Sequence, residues 1–271
     1  MAAPLSPLAA ELRATAPERF LACLFAPAAV RDAMMALAAF EAATAKATLA
    51  TQALAGLGRL AFWRDVVATA GDGRTLSHPV ADALRGAIIA HRLPAAAFET
   101  HLAAREAMLT QGAFDDLAAL AVHARDVAAP ILRLGCQVLG GAVPKAADTA
   151  GEALGLVALL REAIALARAG RLALPEDQCA AAGFGVQSLA EGRNRERTAR
   201  VVETLADAAR ARLAIARLPR PVVPAFLPVV AARGVLHALL RADHDPAAAA
   251  LWQVRTGTRL AVLWAAMTGR V

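Results

Sequence analysis

The sequence predicts an all-α protein, a single-domain helical bundle over residues 1–271 in which 1–16 and 246–271 are peripheral. Three observations predict it. Alanine dominates while tyrosine is absent and aromatic residues make up only 4%, a balance that favours helices because alanine loses no side-chain entropy in one. Apolar residues recur at helical spacing between proline and glycine punctuation. With 58% apolar and 19% charged residues, the chain has enough core for one large domain, and no repeat or composition shift divides it.

The elements follow in order. Leu5 to Ala14 reads as a short helix before Pro17, and Glu18 to Phe25 as another before Pro27. Ala28 to about Ala55 is longer, with Val30, Met34, Leu37 and Phe40 on one face. A Gly56-Leu57-Gly58 step leads into RLAFWRDVVATA, where Leu60, Trp63, Val66 and Val67 share a face. GDGRTLSHP is a loop and capping region, with Pro79 suited to a first helical turn. Pro79 to His91, Ala95 to Thr110 and Leu117 to Leu139 are successive helices, the last interrupted or kinked near Pro130. Lys145 to Ala169 is followed by a loop to about Gly192, then Thr198 to Leu218, a proline-rich turn, Ala225 to Arg241 and Pro246 to Gly269. About ten helices of this kind make a bundle.

A formal charge of +6 favours a negatively charged partner, whether phospholipid surface, diphosphate or nucleic acid. Cys23, Cys136 and Cys179 are widely spaced, lack a C-x-x-C pair and read as buried thiols of a reducing compartment. The N-terminal stretch lacks a basic region followed by an apolar one, so the expected location is cytoplasmic. Uncharged runs such as PVVPAFLPVVAA fall short of the roughly 18 to 20 residues needed to cross a bilayer, which leaves peripheral membrane contact open.

Generic catalytic patterns are scarce. GLG at Gly56 and GFG at Gly183 do not continue as G-x-G-x-x-G, and no G-x-S-x-G, H-E-x-x-H or Walker sequence occurs. His78 reads as a capping residue, His244 between Asp243 and Asp245 as part of a polar turn, and His123 and His237 as helix residues. Arg193, Arg197 and Arg200, continued by Arg210, Arg212, Arg217 and Arg220, read as a solvated face interleaved with Glu191, Glu196, Glu203 and Asp207. No aromatic stacking platform accompanies them, so nucleic acid is not an expected partner. Trp63, Trp252 and Trp264 read as core, with Trp63-Arg64 the one pair singled out as more than packing.

The order and spacing of RFLACLFAPAAVRDAMMALAAF (Arg19 to Phe40), LGRLAFWRDVV (Leu57 to Val67), HPVADAL (His78 to Leu84) and GRLALPED (Gly170 to Asp177) resemble the squalene/phytoene synthase family. The likeness is strongest to its alphaproteobacterial and mitochondrial branch, related to respiratory complex I assembly factors. The resemblance implies an isoprenoid-synthase fold with a central cavity, in which active members join two prenyl diphosphates head to head. Aspartates on two facing helices there hold Mg²⁺ against the diphosphates, and the metal draws off the leaving group.

Both acidic motifs are eroded. After Phe40 the chain reads EAATAKATLATQ, with Ala45 and Lys46 where paired aspartates belong, Leu49 near the later one, and Glu41 the only acid close by. In the second motif Arg161 precedes Glu162, but Ala165 and Leu166 replace the later acids, while the framework of Gly170, Arg171, Leu174, Pro175 and Asp177 remains. No metal ligands and no cofactor are therefore expected. The leading expectation is a non-catalytic assembly or interaction factor, with respiratory complex I subunits or intermediates as partners at the inner membrane. In a divergent prenyl diphosphate transferase, Glu162, Asp65 and Glu41 would have to converge around Mg²⁺. In an isoprenoid or lipid carrier, Arg64, Arg161 and Arg171 would attract a diphosphate or lipid headgroup.

Overall fold

The computed structural model describes residues 5–215, 218–252 and 256–271, and among these there are helices and turns but no strand. α1 (Pro7–Thr15) and α2 (Pro17–Cys23) each begin with proline, whose fixed φ suits a first helical turn, and Ser6 caps α1 by accepting from the Ala9 amide at 3.2 Å. α1 places Leu8 and Leu12 in the core, so the segment before residue 17 is part of the bundle wall and not peripheral to it.

α3 (Ala28–Thr48) runs through the middle of the bundle, with Phe40 fully buried in edge-to-face contact with Trp63 and Phe98 at 5.5 Å each. It ends at Thr48, earlier than the predicted Ala55, and α4 (Ala53–Ala68) starts before the Gly56-Leu57-Gly58 step and runs through it. Gly56 is inside α4 for a packing reason: a Cβ there would meet the Ala47 carbonyl oxygen at 2.7 Å and Leu109 methyls at 2.9 Å. The glycine lets α4 approach α3 and the neighbouring α6 (Ala95–Thr110).

α5 (Pro79–His91) is capped as predicted, His78 Nδ1 accepting from the Ala81 amide at 3.3 Å. α7 (Leu117–Val138), capped by Asp116 at 2.8 Å, runs unbroken through Pro130. The proline removes one backbone bond, yet the helix is held on both sides of it by buried Val127, Ala128, Ala129, Ile131 and Leu132. Against it packs α8 (Ala147–Arg168), antiparallel and very close. A Cβ on Gly151 would fall 2.5 Å from Ala129 backbone atoms, and one on Gly155 2.2 Å from the Ala124 carbonyl oxygen.

α8 ends in a Schellman turn. Gly170 takes φ +79°, its amide donates to Ala167 O at 2.9 Å, and the Arg171 amide donates to Leu166 O at 2.9 Å. The region expected to be a loop from 170 to 192 carries two short helices, α9 (Glu176–Ala181) and α10 (Val186–Ala190). α11 (Arg195–Arg212) follows, exposing Arg197, Arg200 and Arg210, with Arg193 exposed in the turn before it, as the predicted solvated face, whereas Arg212 is drawn against Glu152; Arg217 lies outside the described residues.

α12 (Val223–Leu240), entered through a 3-10 turn at Arg220–Val222, is the one described helix long and apolar enough to span a bilayer, but 61% of that apolar stretch is buried in the bundle. The predicted Pro246 to Gly269 helix is instead a turn, a 3-10 segment at Ala249–Trp252 and α13 (Thr256–Thr268), which packs on α12. Asp243 and His244 both take positive φ, 50° and 57°, which forms the polar turn between them. Cys23, Cys136 and Cys179 are free and buried, and burial pushes the thiols up to about 12, 11 and 12.

The tight α7–α8 contact predicts a clear asymmetry between two glycine substitutions. Gly155→Ala should destabilise the fold by about 1–3 kcal/mol by overpacking. Gly86→Ala, in the interior of α5 with no atom within 4 Å of its Cβ position, should stabilise it by about 0.5–1 kcal/mol. Chemical denaturation of both variants beside the parent chain measures the difference.

Candidate functional site

The first half of the bundle encloses a cavity of about 990 Å³, bounded by α1, α2, α3, α4, α7 and α8 with Arg105 reaching in from α6. Its apolar wall is mostly small side chains, Ala39, Ala42, Ala43, Ala55, Ala128 and Ala158, with Leu49, Phe62, Trp63, Val127 and Leu154 supplying the larger surfaces. Ala45, Lys46 and Leu49, the positions that would carry the first acidic motif, face this cavity, as do Arg161 and Glu162 from the second.

Of the predicted site residues the structure brings together Glu41, Arg161 and Glu162. The other three lie elsewhere. Asp65 is exposed on α4, one turn past the cavity-facing residues, so the convergence of Glu162, Asp65 and Glu41 fails geometrically. Arg64 turns to the outer surface, where its guanidinium bridges Glu99 at 2.9 Å and Glu106 at 3.0 Å; the Trp63-Arg64 pair therefore splits, with Trp63 facing the cavity. Arg171 is buried and donates to the Thr48 and Ala50 carbonyls at 3.1 and 2.9 Å, tying off the C-terminus of α3. Its role is structural.

Two of the cavity carboxylates, Glu41 and Glu18, are matched by guanidiniums. Arg19 of α2 donates from Nη2 to Oε1 of Glu41 on α3, and its Nη1 stands in ion-pair contact with Oε2, which accepts no hydrogen bond among the described residues. Arg161 of α8 donates to Glu18 of α2 at 3.0 Å. Burial raises the Glu18 carboxyl, but Arg161, a backbone hydrogen bond and Arg19 outweigh it, and the net shift is downward. Glu162 goes the other way: burial pushes it above the usual carboxylate range, with Glu41 adding to the rise and Arg105, Arg161 and Arg19 only partly offsetting it. Arg105 is 6% exposed and its Nε makes no hydrogen bond among the described residues. Burial lowers its affinity for the proton, against the fields of Glu162 and Glu41.

Beneath this layer lies His101, fully buried. Its Nδ1 is 2.6 Å from the Val127 carbonyl, which only accepts, so Nδ1 carries the proton, and the Thr44 hydroxyl lies 2.7 Å from Nε2 and 3.0 Å from the Glu41 carbonyl. Burial, then the neighbouring Arg105, pulls it down to about 3, and His123 is lowered to about 3 for the same two reasons.

Arg19, Arg105, Glu18 and His101 were not singled out from sequence. Each occupies a helix pattern in which a surface position is the ordinary reading, and only the packing of α2 and α6 turns them inward. The cavity has five lining cations, Arg19, Lys46, Arg59, Arg105 and Arg161, against four acids, Glu11, Glu18, Glu41 and Glu162. A Mg²⁺–diphosphate clamp needs carboxylates free to share a divalent cation. This donor set does not fit one: Glu41 and Glu18 are already neutralised by arginine, Lys46 adds a positive charge where an acid belongs, and the described residues hold no group of three metal-ligating side chains.

The sequence profile of squalene/phytoene synthase matches residues 12–260. The chain belongs to the squalene/phytoene synthase family. Its bundle superposes on a squalene synthase, HpnC from Alicyclobacillus acidocaldarius, with a TM-score of 0.71 at 19% identity, covering 88% of this chain and 94% of that one. A ligand-bound dehydrosqualene synthase gives a TM-score of 0.71 at 15% identity over 96% of this chain and 94% of the other. Among characterised sequences, this squalene/phytoene synthase relative is 28% identical to human NADH dehydrogenase (ubiquinone) complex I, assembly factor 6, over 239 residues, or 84% of this chain and 71% of the human protein.

The buried histidines predict an acid-sensitive fold. Unfolded histidine takes up a proton near 6.5, while His101 and His123 resist it down to about 3. Stability should therefore fall as pH drops below 6.5, by up to about 1.4 kcal/mol per pH unit for each histidine. Replacing His123 with glutamine should flatten the denaturation midpoint between pH 6.5 and 4.5 relative to the parent chain.

Proposed function

We propose that this chain works as a non-catalytic assembly or interaction factor for respiratory complex I at the inner membrane. The observation that carries the reading is that the carboxylates left in the cavity pair with arginine, Arg19 with Glu41 and Arg161 with Glu18, in a family whose active members are expected to hold metal with aspartates on two facing helices. Departure of an allylic diphosphate needs an electrophile on the leaving group. Guanidiniums already engaged by glutamates are poor substitutes, because each would have to give up a charge-assisted pair to take up the developing charge. Similarity to complex I assembly factor 6 supports the partner, and the intact scaffold supports selection for a surface or a cavity in place of turnover.

A second reading, an isoprenoid or lipid carrier, is favoured by one specific observation. The cavity is open and not filled by bulky side chains, and its volume is at the upper end of what small-molecule sites use. Arg105, with an unbonded Nε, supplies a polar end, and Trp63 and Phe62 an apolar one.

Measurements of turnover, of partners and of ligand binding separate these readings. Purified protein given farnesyl or geranylgeranyl diphosphate with Mg²⁺ should release no pyrophosphate above the protein-free level; metal-dependent release would sink the pseudoenzyme reading. Affinity capture from native membranes should recover complex I subunits, and deletion should lower complex I activity. Quenching of Trp63 by farnesyl diphosphate without metal would establish the carrier reading, and Arg105→Ala should then weaken that binding about tenfold or more.

A further inference from the structure

α13 has two apolar faces, and the bundle uses only one. Val262 and Ala265 are buried against the rest of the protein at 2% and 1% exposure. Leu260, Leu263, Trp264 and Met267, spaced i, i+3, i+4 and i+7, form a continuous stripe on the opposite side, exposed at 61%, 44%, 53% and 70%. This corrects the expectation that Trp264 is a core residue. Four large apolar side chains in one row on a surface helix are not the scattered exposed hydrophobics of an ordinary surface.

The ends of the stripe are basic. Arg259 is exposed beside Leu260, and Arg270 is exposed beyond Met267. Arg220, also exposed, comes from the entry to α12 and passes 4.0 Å from where a Gly269 Cβ would stand. None of these three arginines is in an ion pair among the described residues. From residue 246 to 271 the chain contains no aspartate or glutamate at all.

We propose that α13 is a docking surface for an anionic phospholipid bilayer, lying in the plane of the interface. Leu260, Leu263 and Met267 enter the acyl boundary, Trp264 sits at the headgroup level with its indole N–H toward water, and Arg220, Arg259 and Arg270 meet lipid phosphates at the two ends. The charge pattern selects this occupant. A second copy of the same stripe would bring unpaired arginines against arginines, whereas an anionic headgroup layer neutralises all three. The surface extends the membrane placement proposed above without resting on complex I as the partner, and the test contains no respiratory subunit.

The full chain is sedimented with vesicles of phosphatidylcholine containing phosphatidylglycerol, and with phosphatidylcholine alone. The expected result is binding to the anionic vesicles that weakens with added salt, a blue shift of tryptophan emission that Trp264→Phe removes, and little binding to the neutral ones. Leu263→Asp combined with Met267→Asp should reduce binding about tenfold or more. Those two positions are exposed, so the denaturation midpoint of the double variant should stay at the parent value, which separates loss of docking from loss of fold. Arg259→Glu with Arg270→Glu should abolish the preference for anionic lipid. Absence of parent-chain binding, equal binding by the double aspartate variant, or a concentration-dependent dimer that the variant dissociates would each overturn the proposal, the last by assigning the stripe to a second copy.

Discussion

The close passage of α8 across α7 is the constraint on which the rest of the structure depends. Gly151 and Gly155, one turn apart, let α8 settle onto Ala129 and Ala124 at distances no side chain would allow. That contact sets the depth at which Leu154, Ala158, Arg161 and Glu162 stand relative to Val127 and Ala128 on α7, and these residues form one wall of the cavity. A helix held a few ångströms farther out would carry Arg161 away from Glu18 and open the ion-pair layer to water. The Schellman turn at Gly170 and the Arg171 side chain then tie the end of α8 to the end of α3, so the opposite wall is held by the same element.

The paired charges inside follow from that geometry. In a site built for Mg²⁺, like charges converge and a divalent cation relieves their repulsion. Here opposite charges converge and relieve each other, Arg19 with Glu41 and Arg161 with Glu18. Truncating one partner of such a pair leaves the other buried and uncompensated, which costs more than the pair itself contributes. An aspartate placed at Ala45 would enter a cavity in which Glu41 and Glu18 are already engaged by arginine. Glu162 is held toward its neutral form by burial.

The all-α class, most helix positions and the family likeness were legible in the sequence because they rest on local pattern. Alanine content, apolar periodicity and proline at Pro17 and Pro79 act within a few residues of where they stand. The misjudged places are those where a distant element intervenes. Gly56 and Gly58 looked like a break, but Gly56 is a helix residue shaved for Ala47 and Leu109. Pro130 suggests an interruption or kink, yet α7 continues through it as one helix among buried neighbours. Trp264 looked like core, since the pattern of α13 is apolar on both faces and nothing local says which face is covered.

By itself, the sequence determined a helical bundle and carried the likeness to the squalene/phytoene synthase family, with Ala45, Lys46, Ala165 and Leu166 standing where that likeness implies acids, since both rest on residue identity and local pattern. Tertiary structure decided the fate of the charges that remain. Arg64 and Asp65 turned outward, Arg171 became a helix clamp, and Arg19 and Arg105, separated by more than eighty residues of chain, were brought to one cavity. Electrostatic partnership depends on distances of a few ångströms between groups remote in sequence, and only the packing of whole helices sets those distances.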